Sequence, residues 1–368
     1  MDTHTFIPWA KPDFWGHEQR YLIEALTSTW ISGGAFVDRL ERDFAAYHHT
    51  RFALTASNGT TALHMAFLAL GVGPGDEVIV PGFGFLAAAN MTLLMGATPV
   101  FAEVNPRTWC LDQTGVEARL SPRTRVIVPV HTYGNVCDMG GILDLAGRRG
   151  VAVVEDAAEA LASRYDGRLA GTMGVIGSFS FQATKTITTG EGGMAVTDDD
   201  RLSERMALYR SHGMLRKVYY WHEVPGHNFR LTNLQAALGV AQMEKLDDII
   251  GQRRRVHGSY LQHLSRVNGV IPQHFLPAVD PVVWAIAVRL DPAAFPQGRD
   301  AVIAHMKEAR IETRPGFYAP SQMPHLYDCP PLPVSEEIGR QVISLPTYPT
   351  LQEADIVRIC DALATLRR

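Results

Sequence analysis

Val78-Ile-Val-Pro-Gly-Phe-Gly-Phe-Leu-Ala-Ala-Ala-Asn-Met-Thr-Leu-Leu-Met-Gly-Ala-Thr-Pro-Val-Phe-Ala102 contains no charged residue and is long enough to cross a bilayer. Its punctuation argues otherwise. Pro81, Gly82, Gly84, Asn90, Gly96 and Pro99 interrupt the run, and its two ends read as β-strands. Strand, loop, helix and strand inside a buried α/β core explain the stretch better than a membrane helix. The same alternation continues outward. Further strands are predicted over Glu77–Val80, Pro99–Glu103, Arg125–Val130, Val151–Glu155, Gly177–Phe181 and Gly193–Thr197, with helices near Thr60–Leu70, Leu86–Met95, Gly141–Arg149 and Arg201–His212. Several of these strands are apolar without alternation, the pattern of strands buried on both faces of a mostly parallel sheet. The fold class is therefore α/β, and ligands are expected at the carboxyl ends of strands and at helix N-termini.

The character of the chain changes near residue 245. Gln242–Val256 is predicted as one long amphipathic helix ending in Arg253-Arg254-Arg255, a run read as a solvated face. From about residue 270 the chain is richer in proline and suggests a smaller α+β domain. A large domain over 1–245 and a small C-terminal domain over 246–368 are expected, joined through a helix.

The 368 residues carry 34 Lys+Arg against 38 Asp+Glu, a net charge of −4. That near balance predicts no strong attraction to nucleic acid or to an anionic membrane. A hydrophobic fraction of 46% excludes a disordered or collagen-like chain. Cys110, Cys137, Cys329 and Cys360 are far apart and form no CxxC pair, and no histidines form HExxH. Neither a disulfide framework nor a metal site is expected. His48-His49 reads as a solvated pair near a helix end. Met1–Phe6 lacks the pattern of a secretory signal, which with the cysteine usage predicts a cytoplasmic protein.

Three stretches carry candidate chemistry. In Gly177-Ser-Phe-Ser-Phe-Gln-Ala-Thr-Lys185-Thr-Ile-Thr-Thr-Gly-Glu-Gly-Gly193 a strand delivers Lys185 to a glycine-rich turn. The GxxxxGK spacing of a P-loop is absent, which leaves a solvated loop lysine or a Schiff-base nucleophile. Val151-Ala-Val-Val-Glu155-Asp156 ends in an acidic pair. Asp156 either caps a helix beginning at Ala157-Ala158-Glu159-Ala160 or holds a pyridinium N–H. Ala56-Ser57-Asn58-Gly59-Thr60-Thr61-Ala62-Leu63 opens a helix whose N-terminus suits a phosphate, although capping by Ser57 or Thr60 accounts for it equally. A phosphate seat, a carboxylate for a ring nitrogen and a lysine for an aldehyde together are what a protein contributes to pyridoxal phosphate chemistry.

These motifs resemble those of the DegT/DnrJ/EryC1/StrS sugar aminotransferases, from about residue 7 to 365. Besides Lys185–Gly193, the likeness rests on Ser28-Thr29-Trp30-Ile31-Ser32, Tyr220-Trp221-His222-Glu223, Ile311-Glu-Thr-Arg-Pro315 and Ser344-Leu-Pro346. The resemblance implies the fold-type I, aspartate aminotransferase-like architecture and pyridoxal 5'-phosphate as cofactor. By position, Lys185 would be the Schiff-base lysine and proton carrier, and Asp156 the partner of the pyridinium nitrogen. Phe85 would stack on the ring. Gly59, Thr60 and Ser180 would hold the phosphate. Glu159 would either tune the phenolic edge of the ring or face solvent. Asn228, in Gly226-His-Asn-Phe-Arg230, matches an asparagine that reaches the phosphate of the neighbouring subunit's cofactor, which implies a homodimer with shared active sites. Arg230 and Arg314 are candidates for a carboxylate or for sugar-nucleotide phosphates, or else form structural ion pairs.

Dehydratase relatives carry histidine at the place of Lys185, so lysine favours transamination. The resemblance implies that an amino group passes from L-glutamate to a nucleotide-linked keto-sugar, with GDP-4-keto-6-deoxy-D-mannose as the leading acceptor. Another ketosugar linked to dTDP or UDP, or a keto-cyclitol, is the alternative, and a silent cofactor-binding regulator is the non-enzyme one. Two departures from the pattern bear on the acceptor. Gly82 and Gly84 stand where a threonine is expected before the stacking aromatic, and Val283-Trp284-Ala285 lacks the usual histidine or tyrosine of the substrate-facing small-domain segment.

Overall fold

The protein is described by a computed structural model over residues 5–366, apart from 216, 219 and 327. The uncharged stretch at 78–102 folds as strand, loop, helix and strand. Strand β1 (Phe52–Ala56) precedes β2 (Glu77–Pro81), β3 (Thr98–Ala102), β4 (Thr124–Ile127) and β5 (Ala152–Asp156). A short hairpin of β6 (Arg164–Tyr165) and β7 (Arg168–Leu169) follows, then β8 (Ile176–Ser180) and β9 (Gly193–Thr197). The central sheet runs β1-β9-β8-β5-β4-β2-β3. Its pairings are parallel from β3 through β8, and only β9 is reversed, pairing antiparallel with both β8 and β1. The expected mostly parallel sheet is present. Sequence reading missed β1, which lies at the edge of the sheet.

Alternate residues of these strands feed two separate cores. Ile79, Ile127 and Val153 pack with Leu40, Phe44, Ile142 and Val240. Val78, Val126 and Val154 pack with Leu63, Phe67 and Met206. One face is thus covered by α1 (Glu18–Thr27), α2 (Ala35–His48), α6 (Met139–Arg149) and α8 (Asn233–Glu244), and the other by α3 (Gly59–Leu70), α4 (Ala87–Leu94) and α7 (Asp200–Arg210). Helix α5 (Gln113–Glu117) is a short connector. None of the helices among the described residues is long and apolar enough to cross a membrane.

The helix expected over 242–256 is two helices. Helix α8 ends at Glu244, Lys245 leaves helical geometry at φ −109°, and α9 runs from Leu246 to Leu264. The break lets α8 keep its small residues on the sheet while α9 turns its own face, through Val256 and Tyr260, to a third core. That core lies under β10 (Val270–Pro272), β12 (Ile286–Leu290), β13 (Arg314–Pro315) and β14 (Val342–Leu345), ordered β10-β12-β14-β13, with α10 (Arg299–Glu308) and α12 (Glu353–Ala364). Strand β11 (Val279–Asp280) joins the β6–β7 hairpin, and α11 (Pro333–Gln341) precedes β14. The N-terminal segment reaches this lobe too, because Ile7 bridges to Ile311.

Two readings of charge fail on helical phase. Arg253 is 3% exposed because it shares the inward face of α9 with Ile249, Val256 and Tyr260. His48 is buried as well, stacked on Phe44 at 4.1 Å with Nδ1 against the Phe44 carbonyl at 3.0 Å.

Close approach between α3 and the sheet requires glycine at two places. A Cβ on Gly59 would sit 2.9 Å from the Ser180 Cβ, and one on Gly193 would sit 2.4 Å from the Asn58 carbonyl oxygen. Gly193→Ala therefore has to displace backbone and should cost at least about 2 kcal/mol. Gly147→Ala, on α6 with open space around it, should instead stabilise by about 0.5–1 kcal/mol. Urea unfolding midpoints of the two variants check both signs.

Candidate active site

The site forms where the carboxyl ends of β2, β5 and β8 meet the N-terminus of α3. Asn58 caps that helix, in place of Ser57 or Thr60. Its Oδ1 accepts from the Thr61 N–H at 2.9 Å, and the Thr61 hydroxyl oxygen accepts from the Asn58 N–H at 3.1 Å. This reciprocal box leaves the N–H groups of Gly59 and Thr60 without a partner among the described residues. Ser180, at the end of β8, abuts Gly59 closely enough to exclude a side chain there. Three of the residues expected at a phosphate are therefore contiguous.

Strand alternation decides which member of the acidic pair serves the cleft. Glu155 points into the core on the side of α6, where its carboxylate receives the N–H groups of Gly171 at 2.8 Å, Met173 at 2.5 Å and Gly174 at 2.6 Å, and meets His131 Nε2 at 3.0 Å. Burial alone would raise its pKa, but His131 and the backbone donors outweigh that and lower it. Asp156 points to the opposite side, beside Ser178 in the β5–β8 register. It is 4% exposed, and one oxygen accepts from the Ala158 N–H at 3.1 Å; no other side-chain hydrogen bond reaches it among the described residues. Burial pushes its pKa up to about 6, with the Glu159 charge adding to the shift. No helix starts at Ala157; residues 157–162 are turns, so Asp156 is not a helix cap.

Those turns carry Glu159 back into the site, and it does not face solvent. One of its oxygens accepts from the Tyr133 N–H at 2.8 Å, and the other lies 3.4 Å from Lys185 Nζ. Lys185 is not a solvated loop lysine either, since its side chain is 13% exposed. Phe85 follows β2 and is 60% exposed, its ring meeting Phe317 edge-on at 6.3 Å. The small lobe supplies Trp284, whose ring centroid lies 3.6 Å from Lys185 Nζ and whose indole N–H donates to the Thr184 carbonyl at 2.7 Å. Trp9 packs edge-on against Trp284 at 5.6 Å, and the Arg314 guanidinium lies over Trp9 at 5.7 Å. Arg314 is exposed and paired with Glu312 at 2.5 Å. Asn228 and Arg230 stand apart from this cluster. Both are exposed, with Arg230 Nε donating to Asn228 Oδ1 at 3.2 Å, on a segment tied to the Ser57 N–H through the Phe229 carbonyl at 2.7 Å.

Tyr133, Trp9 and Arg253 were missed in the sequence. Tyr133 takes φ 62° between two buried neighbours, and Arg253 hides in a charged run. Neither of these two announces itself by composition, and Trp9 joins the site only through its packing on Trp284.

The model of the DegT/DnrJ/EryC1/StrS aminotransferase family matches residues 13–364. The chain belongs to this family. Relatives include the GDP-perosamine synthase of Caulobacter vibrioides, 44% identical over 362 residues and 97% of each chain. The GDP-perosamine synthase of Escherichia coli O157:H7 is 39% identical, covering 97% of this chain and 98% of its own. A Streptococcus pneumoniae protein solved in its PLP-form superposes with a TM-score of 0.93 at 25% identity, over 98% of both chains. The protein is a fold-type I, PLP-dependent aminotransferase. The residues present fit that cofactor. Asp156 offers a desolvated carboxylate with an oxygen free for a cationic N–H, the Ser178 hydroxyl beside it is buried without a partner among the described residues, and α3 offers unpaired N–H groups to a phosphate.

The raised pKa of Asp156 has a signed consequence for the cofactor-free protein. An acid whose folded pKa exceeds its unfolded value stabilises fully below the unfolded pKa and loses that contribution as pH rises through the folded one. Between about pH 4 and 6 the cofactor-free protein should lose stability on this account, roughly 2–3 kcal/mol in all. Asp156→Asn should remove that loss: its unfolding free energy, relative to the parent protein, should rise over the same window and stay level above it.

Proposed function

We propose that this chain transfers the amino group of L-glutamate to the keto carbon of GDP-4-keto-6-deoxymannose, working as a cytoplasmic homodimer with shared active sites. The observation that carries the acceptor is the 44% identity, along 97% of both chains, to a protein named GDP-perosamine synthase. The same reading divides the chain into a cofactor-binding domain over 1–245 and a small domain over 246–368, with Lys245 as the junction.

Pyridoxal phosphate, when bound, supplies an aldehyde that amines can join and a cationic ring that withdraws electrons. Lys185 Nζ is the nucleophile toward that aldehyde. Lys185 Nζ would take the α-proton of glutamate and, in the second half-reaction, deliver a proton to the sugar carbon. Glu159, fixed by the Tyr133 N–H, holds the amine between these transfers at the 3.4 Å separation. Asp156 would hold the ring nitrogen in its protonated form, since burial makes the carboxylate's charge costly unless a cation lies against it. Phe85 would stack on the ring. Gly59, Thr60 and Ser180 bind the phosphate at the helix N-terminus. Asn228 completes the phosphate site of the neighbouring subunit, and Arg230 and Arg314 take the donor carboxylate or the diphosphate. The exposed apolar residues Trp30, Ile31, Tyr220 and Trp221 fit a surface that a second copy covers.

Glutamate added to the holoenzyme should bleach the visible absorbance of the cofactor, and GDP-4-keto-6-deoxymannose should restore it while a GDP-linked amino sugar forms. Bleaching without restoration would leave the aminotransferase chemistry standing and replace the acceptor with a dTDP- or UDP-linked ketosugar or a keto-cyclitol. Lys185→Ala should fold and bind cofactor yet lose turnover by more than about a thousandfold.

A further inference from the structure

We propose that Trp284 is a positioning residue for the Lys185 amine: its indole face is where that amine rests when free, and Arg253 holds the two in register. The proposal rests on the assignment of Lys185 made above and extends it to a residue of the small lobe.

The Lys185 ammonium lies 3.6 Å from the indole centroid, well inside the roughly 6 Å over which a cation is drawn to an aromatic face. Trp284 is only 7% exposed, so little water competes for the amine on that side. The indole is fixed in place. Its N–H donates to the carbonyl of Thr184, the residue just before the lysine, at 2.7 Å. Trp9 meets it edge-on, and Tyr133 lies nearly parallel to it at 6.3 Å. Because the indole N–H is already engaged, Trp284 presents the amine with a π surface and no hydrogen-bonding atom. A histidine or tyrosine at this place would offer the amine a hydrogen-bonding atom instead.

Arg253 supplies the registration. One of its terminal nitrogens donates to the Trp284 carbonyl at 3.0 Å and the other to the Lys185 carbonyl at 3.3 Å, so a single planar guanidinium spans the backbone of both residues. It has no carboxylate partner among the described residues, and burial lowers its pKa to about 10. The charged groups facing the amine are then Glu159 at 3.4 Å, Asp156 beyond it, and Arg253 on the backbone side. Held between the Glu159 carboxylate and the indole, the released amine stays within reach of the reacting carbons instead of swinging into solvent.

The test uses the cofactor-free full-length protein, with mono-, di- and trifluorotryptophan placed at position 284 alone. Fluorination drains the π face while keeping the shape and the N–H. The reaction of Lys185 with trinitrobenzenesulfonate, followed by peptide mass spectrometry, should accelerate stepwise along the series, by roughly tenfold at its end. Lys307 in the same digests should react at a constant rate. A flat Lys185 series, or an equal acceleration at Lys307, overturns the proposal. Trp284→Phe, which retains a weaker π face, should fall inside the series; a rate equal to the unfluorinated protein also counts against it. Loss of turnover in Lys185→Ala is a separate result, so failure of either reading can be told from failure of the other.

Discussion

Keeping the buried Asp156 carboxylate charged at the end of β5 costs free energy that a positive partner in the cleft offsets. Much of the surrounding structure follows from meeting that condition. The α3 N-terminus, Ser178 and Ser180 all lie on the same side of the sheet as Asp156, because alternation along two parallel strands puts them there. A slip of one residue in β5 would exchange Asp156 for Glu155 and empty the site. The two neighbours share burial and differ in company. Glu155 is surrounded by four donors and held in its charged form, whereas Asp156 has one and is held back from ionising.

Lys185 is reached from both lobes. The central sheet brings it past β8 to Glu159, and the C-terminal lobe brings Trp284 and, through α9, Arg253. The break at Lys245 makes this possible, since it frees α9 to point a buried arginine at the junction while α8 remains on the sheet. The N-terminal segment closes the same junction: Trp9 packs on Trp284 and donates its indole N–H to Ser344 at 3.0 Å.

The six predicted strands of the large sheet and the helices between them were legible because their apolar runs are long and bounded by glycine, proline or acidic residues. Edge strand β1 was not, since only its tertiary pairing with β9 marks it as a strand. Motif position names Lys185, Asp156, Gly59, Thr60 and Ser180 and leaves Glu159 open between the ring and solvent; the structure gathers all six around the carboxyl ends of β5 and β8 and the α3 N-terminus. Trp9, Tyr133 and Arg253 reach the site through contacts spanning tens to hundreds of residues, and nothing local distinguishes an arginine facing a core from its solvated neighbours. The Arg253–Arg255 run misled for that reason. Composition suggested a charged face where helical phase had divided it.

The central claim is that a desolvated Asp156 holds a cationic ring nitrogen opposite Lys185. The most direct measurement is the nitrogen-15 chemical shift of ring-labelled pyridoxal phosphate in the holoenzyme, compared between the parent protein and Asp156→Asn. The parent should show a protonated ring nitrogen up to at least about pH 8, and the variant should lose that proton. A deprotonated nitrogen in the parent, or the same protonated shift in both proteins, would contradict the claim.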